Sequence, residues 1–262
     1  MTWDPASLPR GRGSIELQID GPVATLTLHN PAARNAMSVG MMADLVSAVE
    51  ALRGSPPVAV LLTGAGDAGF CAGGDLREVR AHLMDEAAAV GMPVVMGDAL
   101  DALASLPSVV VAAVEGAALG GGAELTTVAD WVVAGESATI GFVHAALGVS
   151  PGWGGGGRLL RRIGRSRATE VLLTARRYQG DAALKVGLVD AVVADGQAVQ
   201  AARDWLGTIT RFPAASIRGI LEIIRSADHG AEALTLAERR AFERLWAGPD
   251  HMAALQGVDA GQ

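Results

Sequence analysis

Glycine-rich stretches at the ends of short apolar runs constrain this chain more than any other feature. The first, Gly64-Ala65-Gly66-Asp67-Ala68-Gly69, continues into Phe70-Cys71-Ala72-Gly73-Gly74-Asp75-Leu76. The next is Gly116-Ala117-Ala118-Leu119-Gly120-Gly121-Gly122-Ala123-Glu124, and a further one runs from Gly152 to Gly157. Val58–Thr63 and Val109–Val114, just upstream of the first two, read as buried strands. Glycine after a strand lets the backbone turn sharply or approach a neighbour or ligand closely. Three successive glycines at a helix start cost roughly 1 kcal/mol each relative to alanine. A cost of that size marks a backbone that must touch something, whether a ligand or a neighbouring helix.

The spacing in Gly64–Gly69 matches a dinucleotide fingerprint, but that motif needs a helix opening at the glycines. Here more turn follows. Gly152–Gly157 repeats the spacing without a clear strand before it, and no Gly-Lys-Ser or Gly-Lys-Thr occurs for a P-loop. Nucleotide binding of either kind is disfavoured. Two glycine turns at the ends of adjacent strands would instead bring two backbone N–H groups near one point. That is the geometry of an oxyanion hole, in which each well-placed donor is worth about 3 kcal/mol in the transition state.

Around these turns, strand and helix signals alternate. Ile15–Ile19 and Val23–Leu28 read as strands about the turn Asp20-Gly21-Pro22, after a loose arm over residues 1–13. Ser38 caps a helix running to about Arg53, with Met41, Met42, Leu45, Val46 and Val49 on its apolar face, and Pro56-Pro57 ends it. Helices are expected from Leu76, before Pro107, and opening within Gly116–Gly122. Trp131–Ala134 and Leu188–Val193 are further strands, while the chain after Gly152 is mostly helical. The pattern predicts an α/β core over residues 1–196 followed by a helical C-terminal region, 197–262.

Composition excludes some functions. The net charge of -7 argues against nucleic-acid binding. The richest apolar stretch, Val109–Ala123, is interrupted by Glu115 and is too short and too polar to span a membrane. The first dozen residues do not read as a leader. Cys71 is the only cysteine, so no internal disulfide forms, and a cytoplasmic location is expected. Cys71 has no evident His or Asp partner and reads as a packing residue. His29, His82, His229 and His251 lack metal-ligand spacing. Arg158, Arg161, Arg162, Arg165 and Arg167 form a basic cluster that reads as a solvated face, or as a contact for coenzyme phosphates or a neighbouring subunit. Trp153 reads either as core or as an acyl-pocket wall.

The chain resembles the crotonase, or enoyl-CoA hydratase/isomerase, superfamily. The resemblance rests on Asn30-Pro31-Ala32-Ala33-Arg34-Asn35-Ala36-Met37, on Val60–Gly64, and on Phe70–Leu76. It extends through Gly120-Gly121-Gly122-Ala123-Glu124-Leu125 with Asp130, and Leu147-Gly148-Val149-Ser150-Pro151-Gly152. It implies a crotonase-like spiral of ββα units, with the helical C-terminal region serving trimerisation and covering the active site. It implies a homotrimer or dimer of trimers that binds an acyl-CoA substrate, with no prosthetic group and with coenzyme A as part of the thioester. The two oxyanion amides fall on Gly74 and Gly121. The backbone near Arg34 and Ala36, and that of Ala72, Asp75 and Leu76, falls where the family cradles coenzyme A, and Asp75 caps the turn.

The family's hydratases use two glutamates around one water. The first falls on Glu124, but the second falls on His144, a departure that weakens the plain hydratase reading. A substrate carrying its own carboxylate would be repelled by a second glutamate; a histidine removes that repulsion and offers a proton near neutral pH. Residues 122–127, Phe142-Val143-His144, Pro151–Gly155 and Trp246-Ala247-Gly248-Pro249 are similar to the ethylmalonyl-CoA decarboxylase branch. That resemblance implies decarboxylation of ethylmalonyl- or methylmalonyl-CoA through an enolate, with His144 or Glu124 returning the proton. Hydratase or isomerase activity with His144 in the second position, thioester hydrolysis (Gly73-Gly74 also resembles the 3-hydroxyisobutyryl-CoA hydrolase branch) and a non-catalytic interaction role are the alternatives.

Overall fold

The computed structural model describes residues 3–66 and 69–259, so Asp67 and Ala68 of the first glycine stretch and both chain ends lie outside the described residues. The chain forms two compact units, Met1–Asp204 and Trp205–Gln262. The first opens with a hairpin, β1 (Ser14–Asp20) and β2 (Val23–His29), paired antiparallel around Gly21-Pro22. Helix α1 (Val39–Gly54) follows, its N-cap Ser38 accepting from the Met41 amide. Then come β3 (Ala59–Gly64), α2 (Leu76–His82), α3 (Glu86–Ala104) and β4 (Val109–Val114).

From β4 the chain repeats a unit of long strand, short strand and helix. The first is β4, β5 (Ala117–Leu119) and α4 (Gly121–Thr126). The second is β6 (Trp131–Gly135), β7 (Thr139–Gly141) and α5 (Gly155–Thr174). β8 (Arg177–Gln179), α6 (Gly180–Val186) and β9 (Ala191–Val193) finish the sheets. The long strands form one six-stranded sheet in the order β1-β2-β3-β4-β6-β9, parallel after the hairpin, and the short ones form a second sheet, β5-β7-β8. This is the spiral of ββα units that the motifs imply.

Burial explains the strand sequences. β2 buries Ala24, Leu26 and Leu28 on alternate positions, whereas β4 is buried along its whole length, as a parallel strand covered on both faces must be. Asp130 and Asp190 play matching parts: their carboxylates accept from the amides of Val110 (2.8 Å) and Val132 (2.7 Å), extending the pairing where each turn of the spiral enters its next strand. Helix α3 is the one helix among the described residues long and apolar enough to cross a membrane; its Met96, Leu100 and Leu103 are buried in the core, and it packs on α1.

Four strands differ from the sequence expectation. Ala117–Leu119 is a strand rather than the opening of a helix, because it pairs in parallel with Thr139–Gly141. The strands Thr139–Gly141 and Arg177–Gln179 have three residues each and carry no periodicity to announce them. The last strand begins at Ala191, where pairing with Val133 starts, rather than at Leu188. The arm contains a short 3-10 turn at Pro5–Ser7, capped by Asp4.

α7 (Ala198–Thr210) runs across the boundary into the second unit, which contains α8 (Ala214–Ser226), α9 (Ala231–Leu245) and α10 (Pro249–Asp259). There α8 and α9 pack on each other, and the absence of a side chain at Gly219 admits Leu245 and Ala241.

The connection after β2 depends on one buried side chain. Asn35 sits at φ 54°, fully buried, accepts from the Asn30 amide (2.8 Å) and donates to the carbonyls of Ala65 (3.0 Å) and Gly69 (2.7 Å). Asparagine tolerates this left-handed conformation better than other non-glycine residues. Asn35→Ala strands two carbonyls and keeps the backbone cost, so the urea unfolding midpoint is expected to fall by the equivalent of about 3 kcal/mol; an unchanged midpoint would show that the turn does not rely on this side chain.

Candidate active site

The first turn is built on Met37. Its amide donates to the Gly73 carbonyl (2.7 Å) and its carbonyl accepts from the Asp75 amide (2.8 Å), a parallel bridge to Gly74. Both bonds go to the neighbours of Gly74, so the Gly74 N–H points away from this pairing. The Asp75 carboxylate accepts from the Arg77 amide (2.9 Å) and caps α2, as expected of it. Beside the turn lies a cavity of about 470 Å³. Its lining brings together all five expected coenzyme positions, Arg34, Ala36, Ala72, Asp75 and Leu76, with Gly74 and two unforeseen basic side chains, Arg12 and Arg77.

The second turn is locked to the first. The Cys71 amide donates to the Ala117 carbonyl (2.8 Å) and the Leu119 amide to the Cys71 carbonyl (3.0 Å). A Cβ on Gly73 would lie 2.8 Å from the Leu119 carbonyl oxygen and 3.5 Å from the Gly121 nitrogen, so the two turns meet at Gly73 and Gly121. The glycine run itself serves close internal contacts. A Cβ on Gly122 would come 2.0 Å from the Cys71 carbonyl oxygen, and one on Gly121 would come 2.3 Å from the Trp153 indole ring. Gly121 is the first residue of α4, where an amide has no acceptor within its own helix.

Glu124 lies inside α4 and is 1% exposed. Its Oε2 accepts from the amides of Trp153 (2.9 Å) and Gly155 (2.9 Å), and its Oε1 accepts from Gly152 (3.2 Å) and lies 3.1 Å from His144 Nε2. The loop before α5 therefore closes around the carboxylate. Gly155 is required there, since a Cβ would stand 2.5 Å from Glu124 Cγ. His144 sits in a 3-10 turn, Val143–Leu147, and its ring is 4.0 Å from the position of a Cβ on Gly120. It is 8% exposed, and its Nδ1 is buried without a hydrogen-bond partner among the described residues.

Arg158 departs from the solvated-face reading. It is buried, donates to Asp101, to the Trp153 carbonyl and to Thr127 Oγ1 (3.0 Å), and so ties the closing loop to α3 and the end of α4. Burial pulls its pKa below the usual arginine value, against the upward pull of Asp101. Arg162 is also structural, donating to the carbonyls of Gly187 (2.9 Å) and Ala129 (3.3 Å) and to Asp190. Trp153 is 5% exposed and stands against Gly121. The amides of Gly152, Trp153 and Gly155 and the buried Arg158 were not legible as site components; the only hint was the density of glycine at 152–157. Among the described residues no three His, Cys, Asp or Glu side chains gather into a metal site.

Residues 18–253 match the family model described as enoyl-CoA hydratase/isomerase. The ethylmalonyl-CoA decarboxylase of Danio rerio is 38% identical over 252 residues, covering 93% of this chain and 83% of that protein. The protein of the same name from Rattus norvegicus is 35% identical over 248 residues, covering 93% and 83%. The crystal structure of enoyl-CoA hydratase from Bacillus anthracis superposes with a TM-score of 0.88 at 29% identity, covering 95% of this chain and 96% of that one.

Two outcomes follow from this packing. Burial pushes the Cys71 thiol up to about 12, leaving roughly one part in 10⁴ as thiolate at pH 8, so native protein should resist thiol reagents and react only on unfolding; rapid native labelling would contradict the packing role. Arg158→Met leaves the Trp153 carbonyl and Asp101 without their donor and is expected to cost about 2–3 kcal/mol, read from urea unfolding.

Proposed function

Since the chain belongs to the enoyl-CoA hydratase/isomerase (crotonase) family and is an enzyme acting on an acyl-CoA thioester, we propose that it decarboxylates a malonyl-type thioester, ethylmalonyl- or methylmalonyl-CoA. The observation that carries this reading is the make-up of the proton-handling pair. Glu124 has a histidine beside it where a hydratase would hold a second carboxylate. A carboxylate 4 Å from the substrate's own would cost about 4 kcal/mol at an effective dielectric of 20. The imidazole removes that repulsion. The similarity to two ethylmalonyl-CoA decarboxylases supports the same choice.

In this reading the thioester oxygen is received by the N–H groups of Gly74 and Gly121. The coenzyme lies along the cavity beside the first turn, where Arg12, Arg34 and Arg77 supply positive charge for its phosphates. The bond from the α-carbon to the carboxylate breaks, its electron pair enters the thioester as an enolate, and CO2 leaves. The negative charge on the enolate oxygen strengthens both amide hydrogen bonds, which makes the hole the main catalyst. The Glu124–His144 pair returns a proton to the α-carbon before CO2 is recaptured. We assign the enzyme to the cytoplasm and to a homotrimer or dimer of trimers. Ile220, Ile224, Phe242 and Trp246, each more than half exposed in the helical region, support burial between copies.

The decisive assay offers the purified enzyme ethylmalonyl-CoA, methylmalonyl-CoA and a crotonyl-type thioester. Release of CO2 from a malonyl substrate is expected, with little loss of the enoyl chromophore from the third. His144→Ala is expected to slow CO2 release about 10²-fold, the scale of a lost acid–base group. Hydration without CO2 release would overturn the proposed reaction.

A further inference from the structure

The arm before β1 reads as loose in the sequence, yet the helices beneath it are cut to receive it. Trp3 packs on the core against Gly91 of α3, where a Cβ would fall 2.0 Å from the Trp3 Cβ. The buried Pro5 and its 3-10 turn lie on α1. In the first turn of α1, a Cβ on Gly40 would stand 2.1 Å from the Arg10 carbonyl oxygen. The Arg10 guanidinium pairs with Asp44 of α1 (2.5 Å), whose other oxygen accepts from the Ile15 amide (3.2 Å) at the start of β1. Gly11, at φ 58°, then passes against α2: a Cβ on it would meet Glu78 Oε2 at 2.5 Å. Contacts with three helices thus fix the path of the arm up to Gly11, and Arg12 comes next.

Beyond α2 the arm becomes a wall of the cavity beside the first turn. Arg12 lines that cavity with Glu78, Arg34, Arg77 and Gly74. The guanidinium groups of Arg12, Arg34 and Arg77 have no hydrogen-bond or ion-pair partner among the described residues. Three unpaired cations around one cavity repel one another, and an anionic ligand relieves that repulsion. Arg34 and Arg77 belong to the core, one after β2 and one in α2, whereas Arg12 is placed by the arm. We infer that residues 3–13 form an anchored strap that sets Arg12 on a phosphate of the coenzyme, and so selects a coenzyme A thioester over the same acyl group on bare pantetheine. Pantetheine carries no phosphate and gives this guanidinium nothing to bind. Arg12 is the residue that touches the ligand; Trp3 on Gly91 and Arg10 on Gly40 and Asp44 are positioning contacts. A strap already held in place spares the ligand the cost of ordering it. The assignment rests on the coenzyme lying in this cavity, as in the proposed function, and not on the reaction that follows.

Calorimetry with butyryl-CoA, the product expected from ethylmalonyl-CoA, and with butyryl-pantetheine tests the strap without any chemical step. Arg12→Gln should weaken butyryl-CoA binding about 10-fold, the scale of one charge-assisted contact, and shrink the preference for butyryl-CoA over butyryl-pantetheine by the same factor. Gly40→Ala lies outside the cavity lining and puts a better helix former into α1, yet it forces the Arg10 backbone to move. It should reduce the same preference, and combining it with Arg12→Gln should lower the preference no further than Arg12→Gln alone, because both act through one contact. A general loss of fold would weaken both ligands alike and leave their ratio unchanged. Gly91→Ala, which displaces Trp3 at the far end of the strap, replaces Gly40→Ala if that variant does not fold. An unchanged preference in Arg12→Gln, or losses that simply add in the double variant, would overturn the inference. Absence of butyryl-CoA binding by the wild type would overturn it together with the cavity assignment. Hydration in place of CO2 release, with the binding results as expected, would remove the proposed reaction and leave the strap standing.

Discussion

The candidate site hangs on the reception of one buried carboxylate by the backbone before α5. Glu124 lies within a six-residue helix that cannot hold its own position by propensity, and its charge would be costly to bury alone. Three amides from residues 152–155 meet that charge. In return, the carboxylate fixes the loop and the first turn of α5, where four consecutive glycines, Gly154–Gly157, give little intrinsic order. Removing either side leaves unpaired groups in a water-poor interior. The same contact sets the Trp153 ring against Gly121 and holds His144 on the other side, so one hydrogen-bond cluster positions the wall, the second turn and the imidazole together.

Much of this was readable from residue order alone. The hairpin, the Ser38 cap, β4 and the helix from Leu76 all followed from turn residues, a capping side chain and apolar runs, because those signals are local. β5 was not readable. Ala-Ala-Leu between glycines fits a helix entrance equally well, and only a partner more than twenty residues away makes it a strand. The glycine run shows the limit more sharply. Its cost signalled a close approach, which is correct, but the neighbours at Gly121 and Gly122 are Trp153 and the Cys71 carbonyl. Ligand contact therefore has to be argued from amide direction rather than from glycine count.

Arg158 teaches the same lesson for charge. Within the sequence it is one of five arginines in ten positions and reads as surface. In the fold it alone of the five is buried, because a carbonyl, a hydroxyl and a carboxylate from three different segments converge on its guanidinium. Burial of a charged side chain is a property of its partners, and these lie 5, 31 and 57 residues away along the chain.

That guanidinium also links two very different environments. On one side it grips the Trp153 carbonyl in the interior; on the other it pairs with Asp101, whose side chain is 66% exposed on α3. The closing loop of the site is thus moored to a group that water and salt reach freely. Ions that screen Asp101 slacken one strand of the mooring without entering the site. A surface carboxylate far from the reacting atoms thereby becomes a dial on how firmly the interior loop is held, and a place where the molecule can be tuned to its surroundings while the residues that face the substrate stay the same.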